Sequence, residues 1–423
     1  MSARTASMRR DALLALCLFA LGLLVSHWTR ERSFEGRLNS DEPEWIAISI
    51  LHWRQLALGE PPAGAELDTV DSRRESEWAQ GVQRTTFGYM NPCLPKLLWG
   101  AVLHARGFRE ASPLAFQTFN RAQPNAGKAA QQALLPAEGT ARAVVVSASV
   151  ASAVLLFFVA RGLARGLAGW CAATLAYGSW FATPLVQNTA GYLRTDHFML
   201  PMCLAGLLLA LARPKVTWGW GAALGLLCGL AVSSKLNGGL LCLATAAWAL
   251  LALARDRTRA RHVLGSVALA AAVSWIVFVA LNPRLWDGAL DGVRDILARW
   301  DKLLVYFQDE LAPRTNVAVA RTLPERAALF ARALPRSVPG GGVGVALAAL
   351  GAVVLGVRSC RGSEVDRARA AAVFVAVFIA GTLAWLPIDW ERFYLTATPA
   401  LILLAVLPFG ALVERLATSA PNS

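Results

Sequence analysis

Ten apolar segments constrain this chain of 423 residues more than any other feature of its sequence. Each is near the ~20 residues that a helix needs to cross ~30 Å of hydrocarbon. No ten-residue alternating pattern indicates a barrel, so helices must satisfy the backbone groups in lipid. The sequence therefore predicts an all-α polytopic membrane protein with about ten transmembrane helices. The segments are 12–28, 142–160, 167–186, 196–212, 217–233, 238–254, 263–281, 341–357, 370–386 and 393–413.

Basic residues in the short loops predict the orientation of these helices, because arginine and lysine concentrate on the cytoplasmic side. Both termini are therefore expected in the cytoplasm, in the inner or plasma membrane of the cell. The net charge of +13 is then a topology signal, and no nucleic-acid partner is expected. The basic residues of these loops are Arg4, Arg9, Arg10, Arg161, Arg165, Arg213, Lys215, Arg255, Arg257, Arg259, Arg261, Arg358, Arg361, Arg367 and Arg369.

Two long loops on the opposite, outer side carry both signs of charge and belong to one transmembrane domain spanning 1–423. They are 29–141 and 282–340, and no internal repeat divides the chain. The polar stretch 109–140 is predicted to be a loop that faces the substrate. Helical spacing of apolar residues predicts amphipathic helices in the membrane interface at 44–57, 94–105 and 293–307.

Four polar clusters fall at the outer ends of the predicted spans, where chemistry between a membrane substrate and a water-borne one would take place. An ionisable side chain at the start of a span is expensive unless it meets a cavity or a partner. The clusters are Asn39-Ser40-Asp41-Glu42-Pro43-Glu44-Trp45, Tyr192-Leu193-Arg194-Thr195-Asp196, Ser234-Lys235-Leu236-Asn237-Gly238, and Trp390-Glu391-Arg392-Phe393-Tyr394 followed by Pro399.

In order and spacing these clusters resemble the GT-C glycosyltransferases, particularly the family 39-like branch of protein O-mannosyltransferases and lipid A aminoarabinose transferases. The resemblance implies an inverting enzyme that moves a hexosyl or pentosyl group from a polyprenyl-phosphate sugar. The acceptor hydroxyl would belong to a glycan, a lipid or a protein, and the reaction would take place on the outer face of the membrane. Unlike the mannosyltransferases proper, this chain has no large soluble domain between its later spans, which leaves transfer to protein open.

The same resemblance assigns roles to individual residues. Asp41 is the first candidate for the catalytic base, with Glu42 beside it as the alternative base or an acceptor ligand. Asp196 would orient the acceptor or share a divalent cation with the first-loop acids. Arg392 and Lys235 would bind the donor phosphate, and Arg194 joins them as a further basic candidate.

Each of these residues also has a purely structural explanation. Asp41 has the position of an N-cap, and Lys235 that of a side chain reaching the headgroups from a span end. Asp196 has Arg194 as a local ion partner, and acids flank Arg392 at 389 and 391. His197 is a candidate metal ligand with Asp196, although a lone interfacial histidine is more often a hydrogen-bonded bystander. Two further outer-loop cations, Lys96 and Arg284, are predicted to be surface charges.

Three common kinds of binding or catalytic motif are absent from the sequence. The sequence has no glycine-rich nucleotide loop after a strand, no His/Cys metal array and no Gly-x-Ser-x-Gly nucleophile motif,. Such a chain fits an enzyme whose donor arrives activated on a lipid. Two other classes stay open, a secondary transporter and a non-catalytic membrane protein of envelope assembly. A transporter is expected to show repeated halves with spans interrupted near the bilayer midplane.

Overall fold

A computed structural model gives the fold of most of the chain. The described residues are 3–31, 42–59, 93–109, 124–212, 216–282, 285–286, 288–306, 308–309, 312–360 and 365–419. Asp41 and Arg284 lie outside them. Glu42 is the first residue of a helix, but its side chain is not described.

The described residues are almost entirely helical. In chain order the helices are α1 (Ala3–Glu31), α2 (Glu42–Leu58), α3 (Leu94–Ala105), α4 (Pro124–Gly162), α5 (Gly166–Ala182), α6 (Pro184–Ala190), α7 (Asp196–Ala212), α8 (Trp218–Ser234), α9 (Gly239–Arg255), α10 (Ala260–Ala280), α11 (Ala289–Tyr306), α12 (Ala312–Thr315), α13 (Leu323–Ser337), α14 (Gly342–Cys360), α15 (Val365–Ala384), α16 (Glu391–Tyr394) and α17 (Thr398–Ser419).

Helices long and apolar enough to cross a membrane number six among the described residues. Two shorter apolar helices, α7 and α8, complete this set. Each of the ten predicted segments overlaps one of the helices, so the all-α membrane architecture is confirmed, whereas ten crossings stay a prediction. The six segments are Pro136–Gly162, Leu236–Arg255, Arg257–Ala280, Gly342–Cys360, Val365–Ala384 and Thr398–Ser419.

Helix α4 corrects the prediction for the polar stretch 109–140. The helix begins at Pro124 and runs for 39 residues, so the second half of that stretch is helical. Alanine, glutamine, leucine and lysine fill most of this part, and they are among the strongest helix formers. Polarity alone was therefore a poor indicator of a loop.

The bundle is held by close contacts between neighbouring spans, most extensively α8 with α10 and α14 with α17. Along α8, glycines recur every four residues at 221, 225 and 229 and face α10. A Cβ added at Gly225 would lie 2.6 Å from the carbonyl oxygen of Ala270. Because spans in lipid gain little from hydrophobic burial, such glycine stripes let backbones approach and gain dispersion energy instead.

Arginines of the short loops meet at one end of the bundle. Arg161 bonds Asp11, Arg255 pairs with Asp366, and Arg358 pairs with Glu414. Arg367 donates to the carbonyl oxygen of Leu211, near the end of α7. Since Asp196 begins α7, the polar clusters near Asp196 and these arginines lie at opposite ends of the bundle.

Helices α2 and α3 pack on each other and on the first part of α4, forming a small apolar cluster beside the start of α7. Ile46 and Ile50 of the predicted apolar stripe are buried there, whereas Ala57 is exposed. These two helices thus bury part of the apolar surface that the sequence assigned to the interface. Helix α11, the third predicted amphipathic helix, has no buried residue among its described side chains.

Replacing Gly225 with alanine tests the close contact between α8 and α10. The added Cβ collides with the backbone of Ala270, so we expect a loss of about 1–3 kcal/mol in the free energy of unfolding. Gly219→Ala is the matched control on the same helix, because a Cβ there meets nothing within 4 Å. Chemical unfolding in detergent micelles measures both. Equal stability of the two variants would contradict the described packing.

Candidate active site

The site begins where two spans meet at the end of the bundle away from the arginine loops. Asp196 is the first residue of α7, where the exposed N–H groups favour a carboxylate,. Helix α8 ends at Ser234, and Lys235 takes an extended conformation with φ −163° and ψ 142°. Gly238 closes the turn that follows, because a Cβ there would lie 2.2 Å from the carbonyl carbon of Ala231.

The Lys235 ammonium donates a hydrogen bond to the Asp196 carboxylate, forming an ion pair between α7 and the end of α8. Asp196 is 2% exposed and Lys235 is 9% exposed. Burial and the nearby Arg392 guanidinium lower the pKa of Lys235, although the Asp196 carboxylate opposes them. Lys235 therefore does not reach the headgroups as a snorkelling side chain, and Asp196 has a partner 39 residues away rather than in its own segment.

Arg392 lies close to the ion pair formed by Asp196 and Lys235. Its guanidinium carbon is 4.4 Å from the ring centroid of Trp390 and 5.3 Å from that of Phe393. The Lys235 ammonium nitrogen lies 5.8 Å from the centroid of the Phe393 ring. Arg392, Lys235 and Asp196 are therefore brought together from three separate parts of the chain. Stacking on the aromatic rings restricts the orientation of the guanidinium.

Short backbone pairing fixes the segment that carries Arg392. The amide of Ala320 donates to the carbonyl of Pro387 at 2.9 Å, and the amide of Asp389 donates to that of Ala318 at 2.9 Å. This antiparallel contact precedes α16, on which Arg392 is the second residue. The loop before α13 thus supports the segment that carries Arg392.

Asp389 and Glu391, which are close to Arg392 in the sequence, form bonds with residues of other segments. Arg336 of α13 lies 3.4 Å from an oxygen of Asp389 and 3.8 Å from one of Glu391. The Tyr394 hydroxyl donates to Asp389 at 2.8 Å, and burial together with this acid raises the pKa of Tyr394. Asn188 donates to Glu391 at 3.3 Å. These bonds anchor both acids to α13, α16 and α6.

Arg194 lies at the edge of this group. Its guanidinium carbon is 5.8 Å from the Tyr192 ring centroid, and its charge contributes to the lowered pKa of Lys235. The same ring is approached from α4 by Arg142, at 5.9 Å. Arg142 forms a buried ion pair with Glu138, at 2.5 Å. Glu138 and Arg142 are not among the residues predicted from the sequence, although their spacing of four residues indicates facing partners on a helix.

His197 and Asp196 have different partners. The His197 ring nitrogen Nε2 lies 3.2 Å from the Thr189 hydroxyl, in a fully buried position. Within the described ranges no three His, Cys, Asp or Glu side chains are arranged to hold a metal ion. Asp196 is bonded to Lys235, and a shared cation would need ligands from the first loop.

Aromatic contacts connect the start of α2 with the start of α7. The rings of Trp45 and Trp99 meet edge to face with centroids 5.8 Å apart, and those of Trp99 and Phe198 at 5.2 Å. Trp45 lies three residues after Glu42, and Phe198 two residues after Asp196. The contacts therefore fix the first turns of α2 beside the α7 terminus.

Lys96 corrects a prediction, because it is fully buried and not a surface charge. Its ammonium nitrogen lies 5.8 Å from the Trp45 ring centroid, within the cluster formed by α2 and α3. The signal in the sequence is a single lysine inside the apolar run Leu94-Pro95-Lys96-Leu97-Leu98-Trp99. The packing of α2 on α3 therefore buries a cation that the sequence placed at the surface.

Comparison with known proteins finds similarity only in structure, since no family model and no curated protein sequence matches the chain. ArnT from Cupriavidus metallidurans bound to undecaprenyl phosphate aligns with 98% of this chain at 15% identity and a TM-score of 0.50. The Archaeoglobus fulgidus oligosaccharyltransferase tethered to an acceptor peptide containing the NVT sequon aligns with 96% at 13% identity and a TM-score of 0.51. The alignments cover 61% and 50% of those proteins.

These alignments extend over almost the whole of this chain. The chain spans about three-fifths of the ArnT structure and half of the oligosaccharyltransferase. Both proteins have the GT-C fold. This chain therefore has the GT-C fold, which is the fold of the glycosyltransferases that its four polar clusters resemble.

Breaking the Asp196–Lys235 pair is expected to destabilise the protein. Asp196→Asn or Lys235→Met leaves one buried charge without its counterion, which typically costs about 3–5 kcal/mol. The double variant should cost clearly less than the sum of the two, because neither charge remains. Unfolding in mixed micelles gives the three free energies.

The pair formed by Arg294 and Asp291 is the control for that cycle, with side chains 83% and 86% exposed. Removing either of its partners should leave stability unchanged, because water solvates the remaining charge. Additive losses in the Asp196–Lys235 cycle would show that the two residues act separately.

Proposed function

We propose that the chain is an inverting glycosyltransferase that uses a polyprenyl-phosphate sugar as donor. The observation that carries the proposal is the meeting of Asp196, Lys235 and Arg392 at one end of a bundle with the GT-C fold. The acceptor is a hydroxyl group of a glycan, a lipid or a protein. The reaction takes place on the outer face of the membrane, with both termini in the cytoplasm.

The charge of the group favours an anionic ligand. The positive charges of Arg392 and Arg194 both act on Lys235. The Asp196 carboxylate is close enough to Lys235 and Arg392 to be stabilised by both charges. The Asp196 carboxylate is bonded to Lys235, and the Arg392 guanidinium lies beside that pair. A phosphate that leaves the sugar gains charge on its oxygens, and preorganised cations stabilise that change.

Arg392 suits the leaving phosphate best. A guanidinium presents a planar fork of donors that matches two phosphate oxygens, whereas an ammonium is a point charge. Stacking against Trp390 and Phe393 holds that fork in place before the ligand binds. Lys235 is tied to Asp196 and contributes its charge from a fixed position.

The reaction needs a base for the acceptor hydroxyl. The base takes the hydroxyl proton, the oxygen attacks the anomeric carbon with inversion, and the bond to phosphate breaks with its electron pair on the phosphate. Asp196 is a poor choice, because a bonded ammonium stabilises the carboxylate and weakens it as a base. We therefore assign the base to Asp41 or Glu42, and to Asp196 the orientation of Lys235 and the acceptor.

The position of α2 supports this assignment. Asp41 directly precedes α2, whose residue Trp45 contacts Trp99, which in turn contacts Phe198 near the start of α7. The alternative role for Asp196 in this proposal is to share a divalent cation with the first-loop acids. Among structures of the same fold, ArnT was solved with undecaprenyl phosphate and the oligosaccharyltransferase with an acceptor peptide.

The donor class provides the first test. Purified protein should transfer sugar from a polyprenyl-phosphate sugar to an acceptor in an extract of the envelope, measured by mass spectrometry of the product. A nucleotide sugar supplied without lipid carrier should give no product. Turnover of the nucleotide sugar alone would overturn the proposal, and uptake of a solute into proteoliposomes without transfer would indicate the transporter class instead.

Asp41→Asn separates catalysis from helix capping. Asparagine caps a helix about as well as aspartate, so expression and thermal stability should stay near those of the wild type. Loss of a general base typically slows the reaction by ~10²- to 10⁴-fold. Turnover of the isolated variant measures this. Near-normal turnover would leave Asp41 as a cap only, and Glu42→Gln, the matched variant, would then be expected to carry the loss.

A further inference from the structure

Asn282 is a buried polar residue just after the end of α10, and both polar atoms of its side chain are hydrogen-bonded. Its Oδ1 accepts a hydrogen bond from the backbone N–H of Cys93 at 3.1 Å. Its Nδ2 donates to the carbonyl oxygen of Phe278 at 2.5 Å and, at the longer distance of 3.5 Å, to the Ser233 hydroxyl. One side chain therefore bonds α10, the end of α8 and the residue that precedes α3.

The partners of this side chain require an amide. The N–H of Cys93 only donates and the carbonyl of Phe278 only accepts, so an oxygen must face the first and an NH₂ group the second. The backbone of Asn282 does not have the left-handed conformation for which asparagine is favoured at helix ends,. A buried amide is costly unless it is bonded, and a bonded one specifies the arrangement of its neighbours. The role of Asn282 therefore lies in the contacts that its side chain makes between helices.

The contact with α8 lies two residues before Lys235. Ser233 and Ser234 are fully buried, so the last turn of α8 is enclosed by the protein. Ser234 donates within its own helix, whereas the Ser233 hydroxyl faces Asn282. Asn282 therefore restrains the stretch of backbone that leads directly into Lys235.

The contact with α3 lies at the start of that helix. The first N–H groups of a helix have no partner within it, and Asn282 supplies an acceptor for the N–H of Cys93. Close packing extends this restraint to α2, because a Cβ added at Gly100 would lie 2.2 Å from the carbonyl oxygen of Ser49. The position of α2, which begins at Glu42, therefore depends on where α3 is held.

We propose that Asn282 is a positioning residue of the transfer reaction, a role that rests on the proposed function. It fixes the start of α2, where the first-loop acids supply the base, relative to the Lys235 ammonium at the end of α8. The base must reach the acceptor hydroxyl while the phosphate leaves beside Arg392 and Lys235. A misplacement of about 1 Å slows such a reaction ~100-fold. Asn282 acts through these helices and takes no part in making or breaking bonds.

Steady-state transfer by the purified full chain tests this role. Asn282→Leu removes both polar atoms and should lower kcat per folded protein by ~10- to 100-fold. The KM for the polyprenyl-phosphate sugar should stay within about twofold, because uniform donor binding is kept by Arg392 and the rings on which it stacks,. Ser233→Ala removes only the α8 partner and should lower kcat about threefold. Wild-type kcat in Asn282→Leu, or a loss confined to KM, would overturn the proposal.

Two control variants remove similar groups that bond only their neighbours in the sequence. Gln187→Leu removes an exposed side-chain amide that donates to the carbonyl oxygen of Phe181 at 2.8 Å. Ser266→Ala removes a hydroxyl of α10 that donates to the carbonyl oxygen of His262 in the same helix at 2.8 Å. Both variants should keep the kcat and KM of the wild type. A loss in either that equals the loss in Asn282→Leu would overturn the proposal.

A second measurement reports the contact with α3 without a transfer assay. Cys93 is 3% exposed, so its thiol should react slowly with N-ethylmaleimide, which mass spectrometry of its peptide quantifies. Asn282→Leu should raise the rate at Cys93 about tenfold, because local opening of the first turn of α3 becomes easier. Cys228, buried within the bundle, should stay unreactive in every variant and so shows that the chain is folded.

The two measurements separate this inference from the proposed function. No transfer by the wild type would overturn the proposed function and this role with it, whatever the labelling shows. Transfer by the wild type, with unchanged labelling of Cys93 in Asn282→Leu, would overturn the positioning role alone. Where Asn282→Leu does not fold, and Cys228 therefore reacts, Ser233→Ala decides: a lowered kcat with wild-type KM supports the role, and wild-type kcat overturns it.

Discussion

The buried ion pair between Asp196 and Lys235 sets the arrangement of the end of the bundle that holds the candidate site. Moving two charges out of water costs several kcal/mol per ion, so the pair persists only where geometry and neighbours compensate for that cost. The α7 terminus, the turn closed by Gly238 and the aromatic ring of Phe393 supply those neighbours. Each lies in a different part of the sequence, and the pair connects them.

Two outer supports hold this centre in place. On one side, the segment ending in α16 is fixed by backbone pairing and by Arg336, which bonds both Asp389 and Glu391. On the other side, Trp99 contacts both Trp45 and Phe198, which joins α2 and α3 to α7. The consequence is a preorganised cationic group, and preorganisation is what stabilises charge that develops during a reaction.

The opposite end of the bundle is held together by a different kind of contact. There arginines bond helix-terminal carbonyls and acids of neighbouring spans, as Arg358 does with Leu163 and Glu414. These contacts satisfy the orphan carbonyl groups of helix ends while keeping positive charge at one membrane face.

The positions of the helices and the residues at their ends could be predicted from local sequence, because hydrophobic runs and turn residues act over a few neighbours. The segments 196–212 and 238–254 agree with helices Asp196–Ala212 and Gly239–Arg255 to within one residue at each end. Four polar clusters were predicted at one mouth, and three of them meet there in the described residues.

The partners of these residues could not be predicted before the helices were packed. The sequence predicted Arg194 as the local partner of Asp196 and the lipid headgroups as the contact of Lys235, yet Asp196 and Lys235 bond each other. It also predicted that Lys96 is a surface charge, although the packing of α2 on α3 buries it completely. Pairings across 39 residues depend on how whole helices pack, because a side chain's partner is set by the distance in space that packing creates.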